Sequence, residues 1–382
     1  MTQIAGRPLR VAWFGHGEGR RADGLSTYTR QTVAALRARG VEVLLFIHAA
    51  DGRLPDDEAV QLRALRVKTL TVSLPGSAER IAAALDEFVP DVVHCSWSFG
   101  TLDGEIGRLA RERGAATVAT FHVPYAEPDS ARGRVLRGLY KFHVRNLVEY
   151  DCCIALSAQQ RELLLGAGLG AERVEVINNG VDTDTFTPGP SSLREELGAG
   201  LVIGYLGRLD PEKRVGALLR SFVRQKLPGD SALVIAGGGS QERRIRRLAD
   251  GHAGVHVLGV VTEMRRRLEL LRGFDIFVLP STAEGLALSL LEAMSSGCAV
   301  IATDAGEDGE ALGDTGVLIP VDPLEPGLGD ALRRLAGDPG LRADLGARSR
   351  ARVVERYGLA GNVDRLIHLY DRLRTPAAAA RG

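Results

Sequence analysis

Two glutamates stand out in the stretch STAEGLALSLLEAMSSG, residues 281–297, because they are its only charged side chains. Glu284 and Glu292 lie eight positions apart. If a helix begins near Gly285, that spacing corresponds to ~12 Å along its axis and ~80° of rotation. A glycosidase pair needs its carboxyl groups within roughly 5 to 10 Å of each other. We therefore expect the two acids to hold different parts of one long ligand.

Two cations with the spacing of an anion clamp occur in GRLDPEK, directly after the apolar run LVIGYL. Arg208 offers a planar fork of donors and Lys213 a point charge, which together suit a diphosphate. Solvated surface charges are the alternative. The site interpretation is favoured because the AGGG turn at 236–239 and Glu284 also follow strands and would project to the same edge.

The backbone after Glu284 is a second candidate for binding an anion. A helix N-terminus presents free N–H groups that need no side chain to bind phosphate. The residues expected to supply them are Gly285, Leu286, Ala287 and Leu288. Farther along, Glu292 would accept hydrogen bonds from sugar hydroxyls. An exposed helix acid is the alternative, but its neighbours are apolar and a buried acid needs partners.

The first half of the chain offers His122, in TFHVPY at the end of an apolar run, and Gly24, just before a helical pattern. A strand-end imidazole can hydrogen-bond a substrate hydroxyl or a developing charge, although such a histidine is often structural. His94 is a weaker candidate of the same kind. Gly24 would let a phosphate approach backbone N–H groups at a helix end.

A nicotinamide cofactor is not expected from the glycines at 15, 17 and 19. The dinucleotide fingerprint requires glycine where Arg20 stands and an acid at the end of the second strand. A basic amphipathic segment at 132–145 suits anionic lipid or an anionic acceptor, with an ordinary solvated helix face as the favoured reading. Its cations are Arg132, Arg134, Arg137, Lys141 and Arg145.

Composition excludes several function classes. The 382 residues include 48 basic and 48 acidic side chains, so nothing in the net charge favours nucleic acid as a partner. No run approaches the ~20 apolar residues of a membrane span, and the N-terminus lacks the pattern of a secretory signal, which predicts a cytoplasmic protein. Four cysteines without metal-ligand spacing are expected to be reduced core residues: Cys95, Cys152, Cys153 and Cys298.

The elements that must position these residues alternate between apolar strands and amphipathic helices. This α/β pattern predicts parallel sheets covered by helices, in two doubly wound Rossmann-like domains facing a central cleft. We expect an N-terminal domain at 1–185 and a C-terminal domain at 186–360. The segment 361–382 is expected to form a helix and tail that packs back on the first domain.

Nearly the whole chain resembles the retaining nucleotide-sugar glycosyltransferases of glycosyltransferase family 4, which have the GT-B fold. The segments that carry the resemblance include DGLSTYTRQTVAALRARGVEV, TFHVP, INNGVDTDTFTP, GYLGRLDPEK and FVLPSTAEGLALSLLEAMSSGCAVIATDAG. The most specific element is the pair Glu284 and Glu292 in its EGxxLxxLEAM setting, combined with Arg208 and Lys213.

The resemblance implies that 1–185 is the acceptor-side domain and 186–360 the nucleotide-sugar-binding domain, and it implies a role for each candidate. Arg208 and Lys213 would bind the donor diphosphate, Glu292 the ribose hydroxyls, and Glu284 the transferred sugar together with the amides of 285–288. His122 would hydrogen-bond the donor sugar. Further donor contacts are implied for Gly24, Gly207, Gly259 and Val260. No cofactor and no metal are expected beyond the nucleotide sugar itself, since no DxD-like motif is present.

The implied reaction transfers a hexosyl unit from a UDP- or GDP-sugar to an acceptor hydroxyl of a polyol, aminocyclitol, secondary metabolite or lipid-linked glycan. A nucleotide-sugar epimerase or hydrolase of the same fold is the alternative, and a non-catalytic sugar-nucleotide binding protein is a third reading. Two acidic departures from the family pattern, at Asp23 and at Glu307 with Asp308, suggest an amine-bearing or polyhydroxylated acceptor.

Overall fold

The computed structural model describes residues 7–16, 24–49, 59–67, 70–97, 101–122, 144–225, 227–282 and 285–374. The chain folds into two compact units. The first contains Met1–Asn179 together with Leu359–Gly382, and the second is Gly180–Gly358. The division lies at Asn179 rather than at 185, because Val181 donates its backbone N–H to Tyr357 O at 2.9 Å and so joins the second unit.

The first unit contains an eight-stranded sheet in the order β4-β3-β2-β1-β5-β6-β7-β8. All neighbours are parallel except β3 and β4, which form an antiparallel edge. This edge was not predicted. The strands are β1 Arg10–His16, β2 Glu42–Ala49, β3 Ala59–Val67, β4 Leu70–Ser73, β5 Val92–Trp97, β6 Ala116–Phe121, β7 Cys152–Ala155 and β8 Val174–Val176.

The second unit contains a six-stranded, fully parallel sheet in the order β11-β10-β9-β12-β13-β14. Its strands are β9 Leu201–Leu206, β10 Ser231–Ala236, β11 Val255–Gly259, β12 Ile276–Leu279, β13 Ala299–Thr303 and β14 Val317–Ile319. The chain order reverses between β9 and β12. In open α/β sheets ligands bind at such a switch point, beyond the carboxyl ends of the strands.

Helices cover both sheets, as the alternating pattern predicts. They are α1 Gly24–Ala38, α2 Ser77–Phe88, α3 Asp103–Glu112, α4 Ala158–Gly166, α5 Leu193–Leu197, α6 Val215–Arg224, α7 Glu242–Ala249, α8 Met264–Gly273, α9 Leu288–Ser295, α10 Asp308–Leu312, α11 Leu324–Gly337, α12 Pro339–Arg356 and α13 Leu359–Arg374. The terminal helix α13 belongs to the first unit, where Arg39 Nε on the loop after α1 donates to Asp364 at 2.6 Å.

The four cysteines are free and buried, as predicted. Burial raises the pKa of the Cys152 and Cys298 thiols to about 12, so these side chains stay protonated and inert near neutral pH. Among the described residues, no helix is both long and apolar enough to cross a membrane. The same residues contain no group of histidine, cysteine and acidic side chains that could hold a metal ion.

Candidate active site

The loops at the carboxyl edge of the second sheet are joined by backbone hydrogen bonds. Gly237 N–H donates to Gly259 O at 2.7 Å, which connects the ends of β10 and β11. Leu209 N–H donates to Gly238 O at 2.9 Å, and Thr282 N–H donates to Glu212 O at 2.8 Å. Four neighbouring strand ends therefore form one continuous floor at the switch point of the sheet.

Glycine is required in this floor where backbones approach closely. Gly237 has φ +147°, and a Cβ there would lie 1.8 Å from Gly207 O. A Cβ on Gly239 would lie 2.4 Å from Leu209 O. Gly207, a predicted donor contact, itself donates its N–H to Ala236 O at 3.0 Å. The AGGG turn is thus explained by close packing of two loops against each other.

The cations predicted to bind diphosphate lie in the loop after β9. Arg208 is about half exposed at the side chain, and it donates to Asp210 Oδ2 at 2.5 Å and to Glu212 Oε1 at 3.0 Å. Asp210 in turn accepts from the Ser240 backbone N–H at 2.9 Å. Lys213 ends a short 3₁₀ turn, Pro211–Lys213. Carboxylates therefore occupy the guanidinium face that a diphosphate would need.

The predicted base-side contacts follow β11. Gly259 ends that strand with φ +81°, a left-handed conformation that favours glycine. Val260, the next residue, has 47% of its surface exposed. Together with exposed Leu258 and Met264, it presents apolar surface beside the floor.

Helix α9 begins at Leu288, three residues later than expected, so the prediction that Gly285 opens the helix is wrong. The reason is a long-range contact. The backbone N–H of Ala287 donates to Asp308 Oδ1 at 2.9 Å, which holds the chain extended at Ala287. Leu286 is buried, and Gly285 has open space where a Cβ would be. Of the four amides assigned to the donor, that of Ala287 already has a carboxylate partner.

Asp308 and Glu307 are both buried, at 2% and 4% exposure. The bond from the Ala287 N–H ties Asp308 to the loop before α9. The Asp308 carboxylate therefore supports the backbone of the predicted donor loop. That these acids favour an amine-bearing or polyhydroxylated acceptor stays a prediction.

Glu292 is 2% exposed on α9, so the alternative of an exposed helix acid is excluded. Its partner is Arg267 on α8, which donates from Nε to Glu292 Oε2 at 3.0 Å and also from Nη2 to the same oxygen. Sequence reasoning predicted that a buried acid here needs a partner but did not find Arg267. The sequence feature that points to this partner is the run Arg265, Arg266 and Arg267. The run alone does not show which guanidinium faces the protein interior.

In the first unit, His122 directly follows β6 and donates its backbone N–H to Trp97 O at 3.0 Å. Its ring meets the Tyr28 ring edge-on at 4.7 Å between centroids. Gly24 is the first residue of α1, one turn before Tyr28, with open space where a Cβ would be. His94 is fully buried and bonded to Tyr370 and Thr120, which makes it an internal residue.

Several predicted residues lie outside the part of the chain that the structure describes. They are Glu284, Asp23, Arg132, Arg134, Arg137 and Lys141.

Comparisons with known proteins place both units. Residues 22–185 match the model described as Glycosyltransferase Family 4, and residues 200–338 match the model described as Glycosyl transferases group 1. The D-inositol 3-phosphate glycosyltransferase of Actinosynnema mirum is 30% identical over 85% of this chain and 86% of its own length. The alpha-maltose-1-phosphate synthase of Mycolicibacterium smegmatis is 30% identical over 58% of this chain and 62% of its own length.

Solved structures share the fold. Sucrose-phosphate synthase of Thermosynechococcus elongatus has a TM-score of 0.79 at 22% identity, covering 96% of this chain and 99% of its own. The Anabaena protein HepE in complex with UDP-glucose has a TM-score of 0.76 at 17% identity, covering 96% of this chain and 100% of its own. Both units therefore have the GT-B fold, and the family matches show that the chain is a glycosyltransferase. The chain belongs to glycosyltransferase family 4, which confirms the family and fold predicted from the sequence.

Proposed function

We propose that this enzyme transfers a hexosyl unit from a nucleotide diphosphate sugar to a hydroxyl group of a small phosphorylated polyol or sugar, with retention at the anomeric carbon. UDP is the expected nucleotide and GDP the second choice. The names of the two relatives refer to an inositol phosphate and to maltose 1-phosphate, which supports a phosphorylated acceptor. The HepE structure holds UDP-glucose, which supports UDP as the nucleotide.

The proposed roles follow from chemistry at the strand ends. Arg208 and Lys213 stabilise negative charge on the departing nucleotide diphosphate, with the diphosphate replacing Asp210 and Glu212 as partners of the guanidinium. Glu292 accepts hydrogen bonds from ribose hydroxyls. Glu284 and the amides of 285–288 bind the sugar and its phosphate, and the acceptor attacks from the face that the diphosphate leaves.

The first unit completes this proposal. His122 hydrogen-bonds the transferred sugar, and Gly24 at the start of α1 approaches the phosphates through backbone N–H groups. No metal ion takes part in the proposed reaction. Arginine, lysine and backbone amides supply the positive charge that a metal would otherwise provide.

The observation that carries the proposal is the buried Glu292 carboxylate at the switch point. A buried acid is costly unless it has partners, and Arg267 supplies two donors to this 2% exposed carboxylate. A carboxylate fixed in this way, on the helix that follows the switch-point strand β12, has the chemistry to hold a ribose while other residues bind the diphosphate.

The test is a mass-spectrometric screen of UDP- and GDP-hexoses, with and without inositol phosphates, sugar phosphates and unphosphorylated polyols. We expect nucleotide release that depends on a phosphorylated acceptor, with a product heavier by one hexose. Arg208→Met is expected to lower kcat/KM about 100-fold, because a charge partner of the leaving group is lost. Glu292→Gln is expected to raise the donor KM.

Arg243→Met, on the exposed side of α7, is the matched control and should leave kcat/KM unchanged. Anomeric proton couplings of the product by NMR report retention. Release that ignores every acceptor, or an isomerised donor, would instead support the hydrolase or epimerase. Unchanged activity in Arg208→Met would refute the assigned diphosphate site.

A further inference from the structure

A line of hydrogen-bonded side chains runs through the first unit from the terminal helix α13 to α1. Tyr370 Oη lies 2.6 Å from His94 Nδ1, and His94 Nε2 lies 2.8 Å from Thr120 Oγ1. Thr120 Oγ1 lies 3.4 Å from Tyr28 Oη, the longest link. The Tyr28 ring then packs edge-on against His122. The line thus joins the C-terminal segment to the strand-end histidine of the proposed donor site.

The proton order along this line is fixed by its buried end. Tyr370 is fully buried, and within the described residues the hydrogen-bond partner of its hydroxyl is His94. A buried hydroxyl proton needs an acceptor, so Tyr370 donates to Nδ1. His94 must then carry its proton on Nε2 and donate it to Thr120. The Thr120 proton is left to point toward the Tyr28 oxygen.

The surroundings hold His94 neutral and immobile. Burial, with a smaller contribution from the charge of His122, keeps the pKa of His94 well below its usual range. The indole ring of Trp13 stacks on its imidazole at 3.9 Å between centroids, with 13° between the planes. A neutral ring in one orientation passes a defined donor and acceptor pattern from α13 to Thr120 on β6, along the face of the sheet that α1 and α13 both cover.

We propose that Tyr370, His94 and Thr120 are positioning residues that fix the Tyr28 ring and, through it, the orientation of the His122 imidazole. The consequence for catalysis rests on the proposed function, in which His122 contacts the donor sugar. The geometric part does not rest on it, because it concerns ring orientation in the protein alone.

Tyr370→Phe is the test, because it removes one oxygen and leaves the ring in place. Without the hydroxyl donor, His94 is free to move its proton to Nδ1, which reverses the bond to Thr120. We expect the Cε1–H signals of His94 and His122 to shift in the full-length protein labelled with 13C at histidine Cε1. We also expect kcat to fall about 10-fold with the donor KM unchanged, since misplacement of a contacting group is costly in the transition state.

Two controls separate positioning from stability. Val363→Ala truncates a buried side chain of α13 and leaves the hydroxyl, so it should destabilise the unit but leave kcat and the His122 signal unchanged. Tyr357→Phe removes a tyrosine hydroxyl in the second unit and should change neither kcat nor the His122 signal. If Tyr370→Phe fails to fold, Thr120→Val interrupts the same line with a side chain of similar shape, and the same shifts are expected.

The outcomes distinguish the two proposals. A shifted His122 signal in Tyr370→Phe would support the positioning line. If the unmodified protein also transferred no sugar from any donor tested, the proposed function would be refuted while the positioning line stood. Sugar transfer by a variant whose His122 signal and kcat equal those of the unmodified protein would overturn the positioning line and leave the proposed function standing.

Discussion

The ion pair between Arg267 and Glu292 allows a quantitative prediction. Replacing Arg267 by Met removes the charge partner of a carboxylate that is 2% exposed and leaves it within an apolar helix face. Removing one partner of a buried pair costs about 3 to 5 kcal/mol. Because the Arg267 side chain is 21% exposed and solvent screens part of the interaction, we expect a loss of about 2 to 4 kcal/mol in the free energy of unfolding of the second unit.

The assay must report the second unit specifically. Trp13 and Trp97, the two tryptophans, belong to the first unit, so their fluorescence serves as an internal reference. Hydrogen exchange of peptides from α8 and α9, followed against urea concentration, measures the second unit. The double variant Arg267→Met, Glu292→Gln should recover at least half of the loss, because no buried charge remains.

An exposed ion pair provides the matched control. Arg333 pairs with Asp330 on α11, and their side chains are 56% and 71% exposed. Arg333→Met should cost less than about 0.5 kcal/mol, as exposed pairs do. If Arg267→Met costs no more than this control, Glu292 does not depend on Arg267 and our account of the buried acid is wrong.

Four other changes have defined outcomes. Asp308→Ala removes the acceptor of the Ala287 amide and should raise the donor KM about 10-fold, whereas Asp308→Asn keeps an acceptor oxygen and should retain most of the affinity measured by calorimetry. Val89 follows the C-terminus of α2, is 57% exposed and has φ +46°, a left-handed conformation that is unfavourable for a β-branched residue. Val89→Gly should therefore raise the free energy of unfolding by about 1 kcal/mol, measured by thermal denaturation. The pKa of His94 is lowered in the folded state, so below about pH 6.5 the unfolded state binds a proton that the folded state does not. The free energy of unfolding of the first unit should therefore fall by up to about 1.4 kcal/mol for each pH unit below that point. His94→Gln should remove this dependence on pH. Treatment with EDTA should leave sugar transfer unchanged, and restoration of a lost activity by Mg²⁺ or Mn²⁺ would contradict the metal-free mechanism.

The alternating fold could be predicted because its buried strands are short apolar runs, such as those that became β9 and β12. The antiparallel edge of β3 and β4 was missed since its apolar residues alternate with arginine, glutamine and threonine, a weaker signal at a sheet edge. The start of α9 was placed too early because Gly285 to Leu288 continue the helical pattern. Only the distant Asp308 carboxylate shows that Ala287 is extended.

The positions of the candidate residues in the fold could be predicted in part for a related reason. Strand-end positions such as that of Arg208 follow from the local pattern, and the structure places it in the loop floor. The partner of Glu292 could not be found in this way. Arg267 lies 25 positions away on another helix, and consecutive arginines differ only in the direction that tertiary packing gives them. Residue type and spacing therefore predict that Glu292 is buried and needs a partner, but they do not predict which group holds it.

The place of α13 has a consequence for biosynthesis. The first unit needs Leu359–Arg374 to complete its buried cluster, yet the ribosome makes this segment only after all of Gly180–Gly358. The second unit is continuous in sequence and can fold as soon as it emerges, whereas the nascent first unit must wait with part of its apolar surface uncovered. The half that is translated first is therefore the half that completes its fold last.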